Sequence, residues 1–202
     1  MKKSIVAIAA VIIACATMSA QESKSFFITL QGGPNATMNE NTATYFTEKK
    51  AMDLIDWANG GITFGYFFNN VLGARLACEY GSNHGCYSAN PFTEFTFNNV
   101  SAFADVIFSG VPMDSEEKFF WRPFVGVGLG HSMGFKNSGT DNQAFTPFGF
   151  RFGLNLEFMV TKSFGIVAEG INEWYTDSFN GIVAGRPLDG RLTANVGVAY
   201  HF

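Results

Sequence analysis

The chain has 202 residues, a formal net charge of −4, 23 phenylalanines and 22 glycines, yet a mean hydropathy of only +0.10. A mildly acidic chain without a basic cluster offers no footprint for nucleic acid. No apolar stretch beyond the N-terminus approaches the roughly 20 residues that a membrane-crossing helix needs.

Met1-Lys2-Lys3, the apolar run 5–14 and the small residues up to Ser19-Ala20-Gln21 read as a secretory signal peptide cleaved after Ala20. Ile12-Ile13-Ala14-Cys15 also has the form of a lipobox, which would make a lipidated Cys15 the first mature residue. Loss of Lys2 and Lys3 takes the net charge from −4 to −6. The expected organisation is a signal peptide over 1–20 and one domain over 21–202.

Eight segments of that domain alternate with a period of two, the mark of β-strands whose faces see different surroundings. The first, 26–33, sets Phe26, Ile28 and Leu30 against Thr29 and Gln31, and a polar stretch follows to about residue 59. The second, 61–68, carries Ile62, Phe64, Tyr66 and Phe68 on one face and ends at Asn69-Asn70, a tight-turn pair. The third, 71–80, sets Leu72, Leu76, Cys78 and Tyr80 against Gly73, Arg75, Ala77 and Glu79, with a loop expected over 81–91. The fourth lies within 92–108, with Val100, Ala102, Ala104, Val106 and Phe108 opposite Asn99, Ser101, Phe103 and Asp105.

The fifth, 119–131, sets Trp121, Val125, Val127 and Leu129 against Arg122, Gly126, Gly128 and Gly130; Pro123 suits the start of a paired region. The glycines do not have the dinucleotide-loop spacing and no helix follows them. The sixth, 146–160, has an unbroken row Phe148, Phe150, Phe152, Leu154, Leu156 and Phe158, alternating with Gly149, Arg151, Gly153, Asn155 and Glu157. The seventh, 164–174, sets Phe164, Ile166 and Ala168 against Gly165, Val167 and Glu169. The eighth, 192–202, sets Leu192, Ala194, Val196, Val198, Tyr200 and Phe202 against Thr193, Asn195, Gly197, Ala199 and His201.

Two features favour a membrane-spanning barrel over a soluble sandwich or a lipocalin-like binder. Connections alternate between short and long, as periplasmic turns and outer loops do. Arg75, Glu79, Asp105, Arg122, Arg151, Glu157 and Glu169 all fall opposite the large apolar row. An eight-stranded barrel has an interior just wide enough for side chains, where mixed-sign charges pair. The expected fold is therefore all-β: an eight-stranded antiparallel up-and-down transmembrane barrel. Cys78 and Cys86 are close in sequence and flank an expected turn, so a local disulfide and two unpaired thiols both stay open; no Cys/His spacing suggests a metal.

The segments Arg122-Pro-Phe-Val-Gly-Val-Gly-Leu-Gly130, Phe150-Arg-Phe-Gly-Leu-Asn-Leu-Glu-Phe158 and Asn195-Val-Gly-Val-Ala-Tyr-His-Phe202 resemble the small bacterial outer-membrane β-barrel domain family, which includes OmpX-like and OmpA transmembrane-domain-like barrels. The ending Tyr200, Phe202 resembles the C-terminal sorting signal of such proteins. The resemblance implies the outer membrane of a Gram-negative bacterium, with outer-membrane lipids and the barrel-assembly machinery as partners. It implies no cofactor and leaves the activity open. With no peptidoglycan-binding segment after Phe202, a cell-wall anchoring role is not expected.

The leading functional expectation is a structural or surface-interaction protein that meets an extracellular ligand or host surface through loops near Asn41, Asn90, Ser138 and Gly181. An enzyme modifying lipid A would need a nucleophile and base, for which His131-Ser132 and His84 are the candidates. A narrow channel would need a lumen that the inward charges leave open.

Overall fold

The computed structural model describes residues 26–38, 55–89, 92–136, 143–182, 185 and 188–202, with backbone alone at 86–89, 92 and 93. The signal peptide, the lipobox and the loop positions Asn41, Asn90 and Ser138 lie outside the described residues. Eight strands follow in chain order: β1 (Phe26–Met38), β2 (Ile55–Phe67), β3 (Leu72–Ala89), β4 (Phe92–Phe108), β5 (Phe119–Lys136), β6 (Phe148–Met159), β7 (Phe164–Thr176) and β8 (Leu188–His201). Each pairs antiparallel with the next, and β1 pairs with β8, closing the barrel.

The alternation in the sequence becomes an alternation of environment. Leu30, Phe64 and Val196 are 64%, 57% and 68% exposed on the outside, while Arg151, Glu157 and Arg191 are fully buried inside. A soluble protein would reverse this assignment, because large apolar side chains gain about 1.5–3 kcal/mol each when taken out of water. Here lipid takes them out. Aromatic residues thicken at the lower rim, where Tyr66, Trp121, Tyr200 and Phe202 sit near the short turns, as interfacial girdles do.

Small inward positions make room for large ones on the next strand. Gly65 lies against the Phe27 ring, Gly128 against Phe103, Gly153 against Phe124 and Gly165 against the Glu157 carboxylate. A Cβ at any of these would come within 3 Å of that side chain. The glycine richness of the sequence is thus the complement of its bulky lumen.

Pro123 pairs with Leu154 on β6, while the β4–β5 register begins at Phe124. Its missing N–H therefore falls beyond the last β4 partner and removes no ladder bond on that side. At the upper end of the same pair the register shifts between Thr96 and Asn98, opposite Gly134 at φ 66°. A glycine in the left-handed region at a shift of one residue is the bulge type that turns a strand edge. The lower turns are held by side chains: Asn69 Oδ1 accepts from the N–H of Val71 and Leu72 at 2.9 and 2.8 Å. Thr161 Oγ1 accepts from the N–H of Phe164 at 3.1 Å.

The strands outrun the sequence expectation at one end. β3 continues to Ala89 where a loop over 81–91 was expected, β5 reaches Lys136, β1 reaches Met38, and β8 begins at Leu188. The cause is an inversion of polarity. Tyr80 pairs with Val100, and Val100 with His131. Below this level the outward row is apolar and the inward row carries the charged side chains among buried rings. Above it Asn98 and His131 face outward, while Phe95, Phe97 and Phe135 face inward and are buried. The upper end is built like a water-soluble barrel, so a pattern sought for lipid stops at Tyr80.

Candidate functional site: the lumen and the extracellular mouth

All seven charged residues expected inside are buried there, in two bonded groups, one at the waist and one lower down. Arg75 donates from Nε to Asp105 Oδ2 at 2.7 Å and from Nη1 to Glu169 Oε2 at 2.5 Å. Arg151 donates from Nε and Nη2 to the two Asp105 oxygens at 2.9 and 2.7 Å, and from Nη1 to Glu79 Oε1 at 2.5 Å. Gln31 and Asn155 donate to Glu169 at 3.1 and 2.9 Å. Lower down, Glu157 accepts from Arg122 and meets His201 Nε2 at 2.7 Å. Ring faces complete the cage: the Arg75 guanidinium lies 3.7 Å from the Phe124 centroid and that of Arg151 4.5 Å from Phe103.

Three members of these groups were not among the expected residues. Arg191 on β8 donates to Glu173 and, at 3.3 Å, to Glu79 Oε2. Glu173 lies two register steps above Glu169 in the same inward row of β7, so extending that row would have found it. Arg191 stands just before the expected start of the eighth segment at Leu192, and the earlier start of β8 at Leu188 places it inside. His201 stood in the polar row of the eighth segment without a partner until Glu157 on β6 came beside it.

Apolar layers close both ends. The periplasmic floor joins Phe27, Phe67, Ile107, Phe124 and Ile171, with Met113 from the β4–β5 turn packed beneath. Met113 Sδ accepts from Arg122 Nη2 at 3.4 Å, and its N–H bonds Asn70 O at 2.9 Å. The extracellular cap joins Phe95, Phe97, Phe103, Phe135, Tyr175 and Phe179, with Phe145 and Ile182 against it.

The loop near Gly181 corrects an expectation. Instead of standing outside for recognition, Phe179, Asn180 and Gly181 are buried in the mouth. The disulfide reading also fails. Cys78 is a free thiol on the lipid-facing row, and Cys86 follows eight residues later on the same strand, about 26 Å away in extended backbone. A disulfide spans at most about 7 Å between Cα atoms. The His131-Ser132 pairing fails for the reason that neighbouring strand residues face oppositely: His131 is outside, bonded to Thr146 Oγ1 at 3.0 Å, and Ser132 is buried inside.

His84 has a different role. Its Nδ1 lies 2.7 Å from Asp56 Oδ2, joining β3 to β2 above Asn59–Gly81, the last pair of their register. That hydrogen bond raises the imidazole above its ordinary value, against the opposing effect of burial; the Asp56 and Glu94 charges add to it. A raised value means the contribution is complete below the ordinary pKa of about 6.5 and is lost as pH rises through the folded one. Amide exchange at Ser82–Gly85, corrected for intrinsic rates, should quicken between pH 6 and pH 9 in the wild type. Asp56→Asn should remove that pH dependence.

The chain's residues 7–202 match the family model described as outer membrane protein beta-barrel domain. Among solved structures it is similar to Neisserial surface protein A, at 15% identity and a TM-score of 0.56 over 88% of this chain and 97% of that one. It is also similar to OprG from Pseudomonas aeruginosa, at 11% identity and a TM-score of 0.51 over 89% and 97%. A major outer membrane protein of Thermus thermophilus gives 12% identity and 0.51 over 88% and 100%. No curated protein matches the chain significantly. The match over nearly the whole sequence, on a closed eight-stranded barrel that is apolar outside and charged inside, shows that this chain belongs to the outer membrane protein beta-barrel domain family and resides in the Gram-negative outer membrane.

Proposed function

We propose that this barrel is a closed scaffold whose work is done at its extracellular face, by contact with a ligand or a host surface rather than by conduction or chemistry. The observation that carries this reading is the three-part closure of the lumen: an apolar floor, a salt-bridged waist and an aromatic cap. The waist sets bonded guanidinium and carboxylate groups across the lumen from Arg75 to Arg191. Loops carried on a rigid frame then remain as the variable, recognising part. Delivery follows from a signal peptide over 1–20 and from Tyr200 and Phe202 as the sorting signal read by the barrel-assembly machinery. Both side chains stand exposed at the rim, their rings edge to face at 5.1 Å.

Planar-bilayer recording tests the closed lumen. The wild type should give no stepwise conductance, and Arg151→Leu with Glu157→Leu should lose folded protein rather than alter a channel. Regular wild-type steps whose size changes in that double variant would establish a pore instead.

A further inference from the structure

Arg122 has more donors on one edge than its surroundings have acceptors. It is 1% exposed and lies between the Phe67 and Phe120 rings, 5.4 and 4.9 Å from their centroids. Its Nη1 donates to Glu157, its Nη2 to the Met113 sulfur at 3.4 Å, and its Nε has no partner. Nε and Nη2 share one edge of the planar fork, the edge with which Arg151 holds both Asp105 oxygens. On Arg122 that edge meets a thioether, which is a weak acceptor. A buried cation here lacks the oxygen that its counterpart at the waist has.

Met113 reaches this edge from the periplasmic side. It stands in the β4–β5 turn, half-buried, with its side chain packed beneath the floor rings. Its backbone is anchored: the N–H bonds Asn70 O at 2.9 Å, and Asn70 itself donates to Asp114 at 2.7 Å. The sulfur thus sits on a fixed base at the end of a flexible stem, within reach of a small solute from the periplasm. Oxidation converts a thioether into a polar sulfoxide, whose oxygen is the acceptor that the Arg122 edge lacks.

We propose that Met113 is a modification site for hydrogen peroxide, and that its sulfoxide oxygen docks on the Nε–Nη2 edge of Arg122 and fastens the periplasmic floor. The sulfur lone pair attacks one peroxide oxygen and the O–O bond breaks. The departing oxygen takes the proton from the transferred one and leaves as water. Sulfur loses two electrons and the peroxide gains two. Methionine oxidation ordinarily disrupts apolar packing. At Met113 the sign is reversed, because the new oxygen meets two N–H groups of a buried cation. The side-chain torsions let the oxygen of either sulfoxide epimer turn inward.

Hydrogen peroxide is the probe, applied to the folded barrel in nanodiscs. Peptide mass spectrometry should find one added oxygen on Met113. The Arg122 Nε–H signal, assigned through its contacts with the Phe67 and Phe120 rings, should move downfield. Its exchange with water should slow about tenfold, as one gained hydrogen bond to a charged group requires. The urea midpoint of the wild type should rise. In Met113→Leu, peroxide should change neither the signal nor the midpoint, which separates Met113 from the other methionines. Met113→Gln carries an amide oxygen in place of the sulfoxide and should match the oxidised protein without peroxide. A Met113 that stays unoxidised while free methionine is consumed would overturn the proposal. So would a Met113 sulfoxide that leaves the Nε–H signal in place or fails to raise the midpoint, or an equal rise in Met113→Leu.

Discussion

Arg151→Met is expected to destabilise the barrel by about 3–5 kcal/mol, the cost of leaving buried charges uncompensated. Arg151 is fully buried and reaches Asp105, Glu79 and, at 3.6 Å, Glu173. Methionine matches much of its volume and supplies no donor, so two hydrogen-bonded carboxylates lose their strongest partner. Arg75 still holds Asp105, and Arg191 still holds Glu79 and Glu173. Urea unfolding in lipid vesicles, followed by tryptophan fluorescence, measures the loss. Arg151→Lys should fall between the two, since it keeps the charge but cannot grip both Asp105 oxygens at once. A methionine variant as stable as the wild type would mean that the waist does not hold the fold together.

Gly126→Val should be the second severe change, and for a steric reason. A Cβ there would stand 1.9 Å from Asp105 Oδ1 and 2.7 Å from the Ala104 carbonyl. Asp105 has no freedom to retreat, because Arg75 and Arg151 fix both of its oxygens. Overpacking costs of about 1–3 kcal/mol assume that neighbours can shift; here the expected result is little or no folded barrel. Gly170→Ala is the matched control. It faces outward with nothing within 4 Å of its Cβ, and its stability should stay within about 0.5 kcal/mol of the wild type.

How much of this was legible in the sequence depended on which solvent each stretch meets. From Leu72 to Tyr80 and from Phe148 to Phe158 the outward row is apolar, and period two alone assigns both faces and four of the seven inward charges, Arg75, Glu79, Arg151 and Glu157. Above Tyr80 the rule reverses, and Ser82 and His84 outside with Asn83 inside look like a loop when read for lipid. Phe95 and Phe97 continue the inward row of Phe103 and Asp105, so their placement was available from phase, though not their chemistry. Phe179 was not legible at all: a loop residue enters the mouth through tertiary packing, and no local pattern encodes that. The Glu157–His201 contact likewise joins residues 44 apart in sequence and depends on closure of β8 against β7 and β1.

The central claim is a closed barrel turned inside out to face lipid. Outer-membrane fractions run on SDS gels with and without boiling test that claim in one experiment. The expected result is a band in the outer-membrane fraction that migrates faster unboiled, because the closed barrel resists SDS until heated. A band in the soluble periplasmic fraction, with the same mobility boiled or not, would contradict it and return the phenylalanine rows to the inside of a soluble protein.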